Sequence, residues 1–521
     1  MTSAGHIQSN RFRPILALLV VVAASLLLAV AVAQHSMMLA GGIVLLGMAI
    51  AALAWPEMVT LLVIAAFYSN AVAIAVQFHG VPFVAGAGVP LLLLLPLSHF
   101  LIVQREKIII HPLLLPIILY HGVLLVGTIF SRDVDIAAAN LLRNLLEGLV
   151  LFFLITNVVR TPATLRRTIW TLLVVGALIG LLGFYQILTG SYSNNYGGFA
   201  QVSNAAFDTG QTTLLGAVEQ PRLAGSVGEQ NRHAQVMLML VPLGIFLAMG
   251  IRSLAPRTLV LSMTALVALG VATTFSRGAA LAFGVMVIVM ATFRYVSLRQ
   301  LVVAIVVVGL VVGVAVPQYS VRVLKLRGLI GLVDKSNVTE TTKPDGSLKK
   351  RSTEMITAAL VFADHPVIGV GPGMFKYYYQ EYAVRVGENI QHGMTRQAHN
   401  LYLGIAADSG LLGLLFFFTI IVMLFRALTR TRRRLLERNP AMANLAAGFV
   451  LALVVYLVTG IGLHFAYVRF FWIIVALAAV TSTLGDQLAD QAEQPPAAEE
   501  NPSPIRVPAR VHSRSRSIPT R

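Results

Sequence analysis

His399 stands directly before Asn400 in RQAHNLYLGIAADSGLLG, Arg396 to Gly413, where the longest polar segment of the chain meets the apolar run FFFTIIVMLF. An imidazole titrates near neutral pH, so a histidine at such a boundary is suited to take a proton from a substrate group. Arginines supply a second kind of chemistry. Arg222 and Arg232 flank the glycine-bearing turn of PRLAGSVGEQNRHA, which leads into a helix with Asn231 near its start. Guanidinium forks together with backbone N–H groups at a helix start suit a phosphate or diphosphate. Arg277 follows Ser276 in TTFSRGA, and Arg396 lies three residues before the histidine. Each has a plainer reading. His399 could merely order a helix start, Arg232 could snorkel, Asn231 could cap, and Arg277 could be the interfacial arginine of a tight hairpin.

Positioning these groups requires particular elements. Asn400 is placed to cap a helix beginning at Leu401, with its side chain accepting from an orphan N–H. Gly404, Gly410 and Gly413 keep one face of that helix small, which lets another backbone approach. Upstream, RSTEMITAALVFAD reads as an amphipathic helix from Arg351 to Asp364 with Met355, Ala359, Leu360 and Phe362 as its apolar contacts. It ends at His365-Pro366, because the residue before a proline disfavours helix. GVGPGMFKYYYQEY then gives a glycine-rich turn and the aromatics Phe375, Tyr377, Tyr378 and Tyr379. No Lys-Ser/Thr follows the turn, so it is not a nucleotide P-loop. The aromatics suit either stacking on sugars or docking of the loop on a membrane surface. The lysines between Lys343 and Lys350 read as solvated charge.

Bulk composition sets the class. Of 521 residues 57% are hydrophobic and 12% charged, where soluble chains carry about a quarter charged. Mean hydropathy is +0.79, that of a polytopic membrane protein. The absence of cysteine removes disulfides, thiolate metal sites and cysteine nucleophiles. A net charge of +17 invites nucleic acid, but the basic residues are scattered between apolar runs, with no basic helix and no stacking aromatics beside them. Membrane orientation accounts for them better, and no nucleic-acid partner is expected.

At about 20 residues per span, roughly fourteen apolar runs are present. They begin at Pro14–Ala33, read as an anchor and not a cleaved signal. Next come Leu39–Ala54, Met58–Val76, Val84–Val103, Leu113–Phe130, Asn140–Val159 and Thr168–Leu188. His233–Gly250, Thr258–Thr274, Ala279–Phe293, Leu301–Val316, Leu401–Phe425, Ala443–Leu463 and Phe470–Leu484 complete the set. Arg105, Lys107, Arg160, Arg166, Arg167, Arg252, Arg257 and the cluster Arg426–Arg438 fall on one side. The positive-inside rule makes that side cytoplasmic and places both termini there. The loop 189–232, the SRG turn, the large loop 317–398 and HFAYVRF at His464–Phe470 then share the outer face.

The expected architecture is an all-α polytopic membrane protein of about 12–14 spans with a large periplasmic loop carrying short helices. Its parts are helices within 1–188, a loop at 189–232, helices within 233–316, the loop 317–398, helices within 399–485, and a disordered cytoplasmic tail at 486–521. Inside the bilayer, Arg143 and Glu147 at i, i+4 are expected to pair, and His121 to make an interhelical hydrogen bond.

His399-Asn400, nine residues, Gly410, two residues and Gly413 resemble the signature of bacterial O-antigen ligases. RLAGSVGEQN, TFSRGA and the R…ADHPVIGVGPGMF segment are similar to the wider family joining those ligases to O-antigen polymerases. The resemblance spans 222–426, in the family's order; the first half of the chain matches only in being hydrophobic. It implies a periplasmic histidine and arginines around an undecaprenyl-diphosphate-linked glycan, carried here by His399, Arg222, Arg277 and Arg351, with Arg396 and Asn400 in support. It further implies an inner-membrane enzyme that moves the glycan onto an acceptor such as lipid A-core. Histidine would activate the acceptor hydroxyl and arginines would hold the leaving diphosphate. With no outer-face acidic pair of DxD kind, neither metal nor cofactor is expected, and a single in-line displacement gives inversion. A polymerase or a protein O-oligosaccharyltransferase using the same donor is the alternative. A flippase or transporter is more remote, since no repeat is evident in the sequence and the polar groups gather on one face.

Overall fold

A computed structural model describes residues 55–203, 222–295, 346–387 and 395–493, with five isolated positions between 297 and 306. The expected runs Pro14–Ala33 and Leu39–Ala54 lie outside the described residues, as do nearly all of Leu301–Val316, residues 317–345 and 388–394 of the large loop, and the part of the expected tail beyond Glu493. The other expected runs fall on helices, Met58–Val76 on a bent pair. In order these are α1 (Pro56–Tyr68), α2 (Ala71–Phe78), α3 (Phe83–Val103), α4 (Leu114–Ile129), α5 (Val134–Val158), α6 (Pro162–Thr189), α7 (Gln230–Met249), α8 (Leu254–Ala272) and α9 (Arg277–Thr292). Two helices of the large loop follow, α10 (Gly346–Asp364) and α11 (Phe375–Arg385), then α12 (Leu401–Leu435), α13 (Pro440–Thr459) and α14 (Val468–Glu493). Among the described residues, eight helices are long and apolar enough to cross a membrane, or nine if the bent α1–α2 pair is one span. The fold is that of an all-α polytopic membrane protein. A single two-stranded antiparallel sheet, β1 (Gln201–Ser203) with β2 (Arg222–Gly225), interrupts it among those residues.

Burial ranks the helices. α7 and α14 are apolar and almost wholly enclosed, α13 nearly so, while α3, α5, α8 and α12 leave broad apolar faces outward as helices in lipid do. α7 packs on α8 and α13, and α12 on α4, α13 and α14. The N-terminal turn of α7 is itself buried at Gln230, Arg232 and His233, which bears on the residues it carries.

Three of the spanning elements are irregular, and each irregularity has a local cause. Between α1 and α2 the chain bends by 58° at Asn70, which is left-handed with φ of 63°. α5 widens into a π-turn at Leu145–Val150. His121 of α4 has Nε2 3.1 Å from the carbonyl of Asn144 just before that turn and Nδ1 2.8 Å from its own Ile117 carbonyl, so its single N–H donates to one of the two. With the proton on Nε2 this is the interhelical bond expected of His121. The pairing expected for Glu147 is different from the one found: Glu147 lies 3.0 Å from Arg469 of α14, whereas Arg143 faces outward over Phe83. The π-turn rotates Glu147 away from the face it would share with Arg143 on a regular helix.

The third irregularity is in α12. Gly410 has φ of 65° and ψ of −164°, which breaks the helix. A break inside a span leaves backbone groups without partners, and in lipid these must be satisfied by protein. Residues 366–371 do so. Leu411 N–H donates to the Pro366 carbonyl at 2.7 Å and Leu412 N–H to Val367 at 3.2 Å. Val370 N–H donates to Ala407 at 2.9 Å and Gly371 N–H to Asp408 at 3.0 Å. A Cβ on Gly410 would stand 2.3 Å from the Val367 carbonyl, and one on Gly369 would stand 2.4 Å from the Asp408 backbone. Asp408 then accepts from Gly373 N–H and Phe375 N–H, both at 2.9 Å, and so caps α11. The glycine-rich turn is therefore a splice for a broken helix. Gly410 does admit a second backbone, as expected, but through a break and not along a smooth face. A Cβ on Gly404 would meet only Ala398 at 3.7 Å, and the space beside Gly413 is taken by Ser409.

α10 also differs from expectation in the face it buries. Thr353, Glu354, Thr357, Ala358 and Val361 point inward, while Ala359 is exposed and Met355, Leu360 and Phe362 are half-buried. The inward set keeps helical spacing, at i, i+3, i+4 and i+7 from Glu354. Of the loop aromatics, Phe375 and Tyr379 are core residues of this small assembly and Tyr377 is exposed.

Candidate active site

His399 occupies a left-handed backbone position, φ 44°, which costs a non-glycine residue roughly 1 kcal/mol or more and marks a site held in place by its surroundings. Asn400 supplies part of that hold. Its Oδ1 accepts from Leu403 N–H at 2.9 Å, capping α12, and its Nδ2 donates to the Ile461 carbonyl at 3.0 Å. The start of α12 is thereby tied to the turn after α13.

The His399 ring is 31% exposed, and its Nδ1 lies 2.7 Å from Oε2 of Glu354, whose side chain is 3% exposed. The distance is that of an ion pair, although Oε2 is out of line for a hydrogen bond with the ring. The same Nδ1 is 3.2 Å from the Gln397 carbonyl. Two acceptors converge on Nδ1, so these partners assign the proton to Nδ1 and leave the Nε2 lone pair available. A buried carboxylate on one nitrogen and a free lone pair on the other is the arrangement of an oriented general base.

A second histidine completes the wall. The His464 ring meets that of His399 edge-on, with centroids 5.8 Å apart. Burial, aided by the charge of Arg232 and by His399, holds the His464 imidazole well below its ordinary pKa, so it is neutral. Arg232, in the first turn of α7, is 2% exposed. Its Nη2 donates to the His464 carbonyl at 2.6 Å and its Nη1 to Gln235 at 3.1 Å. Gln235 in turn bonds Thr459 at 2.8 Å. Arg232 is therefore a buried cation fixed beside the two histidines and is not snorkelling. Arg351 reaches the same turn: its Nη1 is 3.9 Å from where a Cβ on Gly462 would be.

Arg222 and Arg277 form a neighbouring group. Arg222, on β2 and 7% exposed, donates from Nε to the Thr274 carbonyl at 3.0 Å and from Nη2 to Asn231 at 3.3 Å and the Phe275 carbonyl at 3.4 Å. Asn231 also accepts from Ser276 Oγ at 3.0 Å, and Ser276 caps α9 through Ala279 N–H. These bonds fix the SRG turn against the start of α7, with Arg277 exposed at the first residue of α9. Asn231 and Arg232 are consecutive, so α7 links this knot to the histidines. Arg396 is half-buried in the segment leading to His399.

Behind the histidines, Tyr467 is left-handed at φ 52° and stands within reach of two guanidiniums, Arg469 at 5.5 Å and Arg232 at 5.9 Å from its ring centroid. Arg469 bonds Glu147 and Asn70, and Asn70 Nδ2 donates to the Ser226 carbonyl at 2.7 Å. Of the seven left-handed non-glycine residues among the described ones, Asn70, Phe275, His399 and Tyr467 belong to one connected set of contacts around the site, while Arg105, Tyr196 and Arg294 lie outside it. Strain of this kind collects at functional positions.

The sequence-derived candidates consequently fall in two linked groups: His399, Asn400 and Arg351 in one, Arg222 and Arg277 in the other. Glu354, Arg232 and His464 join the first, and of these Glu354 had passed unremarked. Its signal was present, since a glutamate three and seven residues before Thr357 and Val361 shares their inward face.

Residues 262–418 match the model of the family described as O-antigen ligase. The match bears out the resemblance read from the motifs and takes in Arg277, Arg351, Glu354, His399, Asn400 and the spliced glycines. These are glycosyl-transferring enzymes of bacterial membranes. A comparison with curated proteins gives no match.

Proposed function

We propose that this chain is an O-antigen-ligase-like glycan transferase that moves an oligo- or polysaccharide from undecaprenyl diphosphate to an acceptor hydroxyl, with lipid A-core as the acceptor, at the periplasmic face of the inner membrane. The observation that carries the reading is the buried Glu354 carboxylate 2.7 Å from His399 Nδ1. A glycosyl diphosphate is already activated, so transfer needs a base for the hydroxyl and charge stabilisation for the departing diphosphate.

His399 Nε2 takes the hydroxyl proton as the acceptor oxygen attacks the anomeric carbon. The bond from that carbon to the diphosphate oxygen breaks, and its electron pair leaves with the lipid diphosphate. One displacement inverts the anomeric centre. Glu354 balances the imidazolium that forms and keeps its ring in register; the proton then passes to water. In this scheme Arg351, Arg396 and Arg277 meet the diphosphate, Arg222 adds its charge from the turn it holds through the Thr274 and Phe275 carbonyls, and Arg232 adds a fixed positive charge beside His399. Arginine can meet phosphate oxygens in pairs, which makes a divalent ion unnecessary in this scheme.

The test is transfer by the purified chain from an undecaprenyl-diphosphate-linked oligosaccharide to lipid A-core, with and without EDTA. Equal rates in both, with an inverted linkage in the product, are expected. Transfer abolished by EDTA and restored by a divalent ion would contradict the scheme, and absence of transfer to any glycan acceptor would remove the reading.

A further inference from the structure

The step above makes no use of two buried nitrogen atoms beside His399. Arg232 Nε and His464 Nδ1 have no hydrogen-bond partner among the described residues. The residues that carry them are joined to each other, Arg232 Nη2 to the His464 carbonyl at 2.6 Å. Glu229 Oε2 lies at ion-pair distance from Arg232 Nε, 3.9 Å, but beyond hydrogen-bonding reach, so the N–H itself has no acceptor. Burying a polar atom without a partner lowers stability, and an apolar ring at 464 would avoid that loss. A histidine kept there at such a cost points to a partner that arrives from outside.

The chemistry of the two atoms narrows what arrives. Arg232 Nε–H can only donate. His464 is neutral, through burial and the nearby Arg232 charge, so its Nδ1 can accept when the proton is on Nε2. A hydroxyl meets both needs, because its oxygen accepts while its hydrogen donates. The His464 ring stands edge-on to His399 with centroids 5.8 Å apart, so the unpartnered nitrogens adjoin the residue assigned as the base.

We propose that His464 is a further site residue, whose Nδ1 accepts a hydrogen bond from a hydroxyl of the sugar brought to His399, while Arg232 Nε–H donates to an oxygen of the same sugar. Together they read hydroxyl placement on the reacting glycan. The proposal rests on the glycan-transfer reading above.

Three substitutions at 464 separate this from packing. The asparagine side chain reaches the place of Nδ1, that of glutamine reaches the place of Nε2, and phenylalanine keeps the ring without either nitrogen. Turnover and melting temperature are measured at pH 7.5 in detergent, with undecaprenyl-diphosphate-linked oligosaccharide as donor and lipid A-core as acceptor. His464→Asn is expected to stay within about threefold of the unaltered chain. His464→Gln and His464→Phe should melt at the same temperature or higher, yet turn over on the order of tenfold more slowly, the size of one lost hydrogen bond. Full activity in His464→Phe or His464→Gln would overturn the proposal. So would losses that follow melting temperature across the three variants. Survival of activity in His464→Phe removes this inference alone, whereas no transfer by the unaltered chain removes the functional reading as well.

Discussion

Glu354 and His399 come from segments separated by the glycine-rich splice, and they meet with 2.7 Å between Oε2 and Nδ1. The meeting depends on α10 turning its polar inner face toward the start of α12. That orientation is fixed from below, where residues 366–371 close the break at Gly410. The helix break, the capping by Asp408 and the base are therefore parts of one construction.

Glu354→Gln keeps size and removes charge. The amide can still contact Nδ1, but it cannot balance an imidazolium. Turnover at matched folded fraction is expected to fall by about 10- to 100-fold, less than on loss of the base itself. Unchanged turnover would reduce Glu354 to a packing residue.

Gly410→Ala places a Cβ 2.3 Å from the Val367 carbonyl at a left-handed position. Neither the spliced strand nor the helix can yield without losing hydrogen bonds in the interior. A destabilisation of about 2–5 kcal/mol is expected. It should read as lost folded yield after solubilisation, with whatever folds remaining active. Normal yield of Gly410→Ala would show the break to be dispensable.

Stability should depend on acid through the histidines. His464 is held well below its ordinary value of 6.5 by burial, Arg232 and His399. At the opposite end of the helices, burial lowers His111 to about 4. In each case the unfolded chain binds the proton more readily, so stability rises with pH and is lost as pH falls from 6.5 toward the folded values. Melting temperature should therefore drop between pH 7 and pH 5, and His464→Phe should make the drop shallower while leaving the share of His111. An unchanged slope in His464→Phe would contradict the burial of a neutral ring at 464.

Much of this was legible in the chain. Each apolar run within the described residues became helical, Met58–Val76 as a bent pair, because a span must pair all of its backbone internally and length with hydropathy nearly determines it. Asn400 and the stop before Pro366 were readable as local chemistry. What failed to show was anything set by tertiary context. Nothing in the sequence showed that Arg222 also fixes the Thr274–Ser276 turn, through the Thr274 and Phe275 carbonyls and Asn231. Glu147 found Arg469, which is 322 residues away, across a π-turn that no periodicity announces. GVGPG read as a glycine-rich turn, but nothing local showed that it closes a broken helix. Glu354 was masked because the face expected to be apolar was assigned one position away.

The most direct measurement is the turnover of His399→Gln, purified at matched folded fraction, with undecaprenyl-diphosphate-linked oligosaccharide and lipid A-core. Glutamine can hydrogen-bond the acceptor hydroxyl but cannot take its proton at neutral pH, so it separates positioning from base catalysis. A fall of about 10²- to 10⁴-fold with unchanged melting temperature is expected of a general base. Near-wild-type turnover would contradict it, and would leave the arginines and the positioning of the substrates to account for the rate.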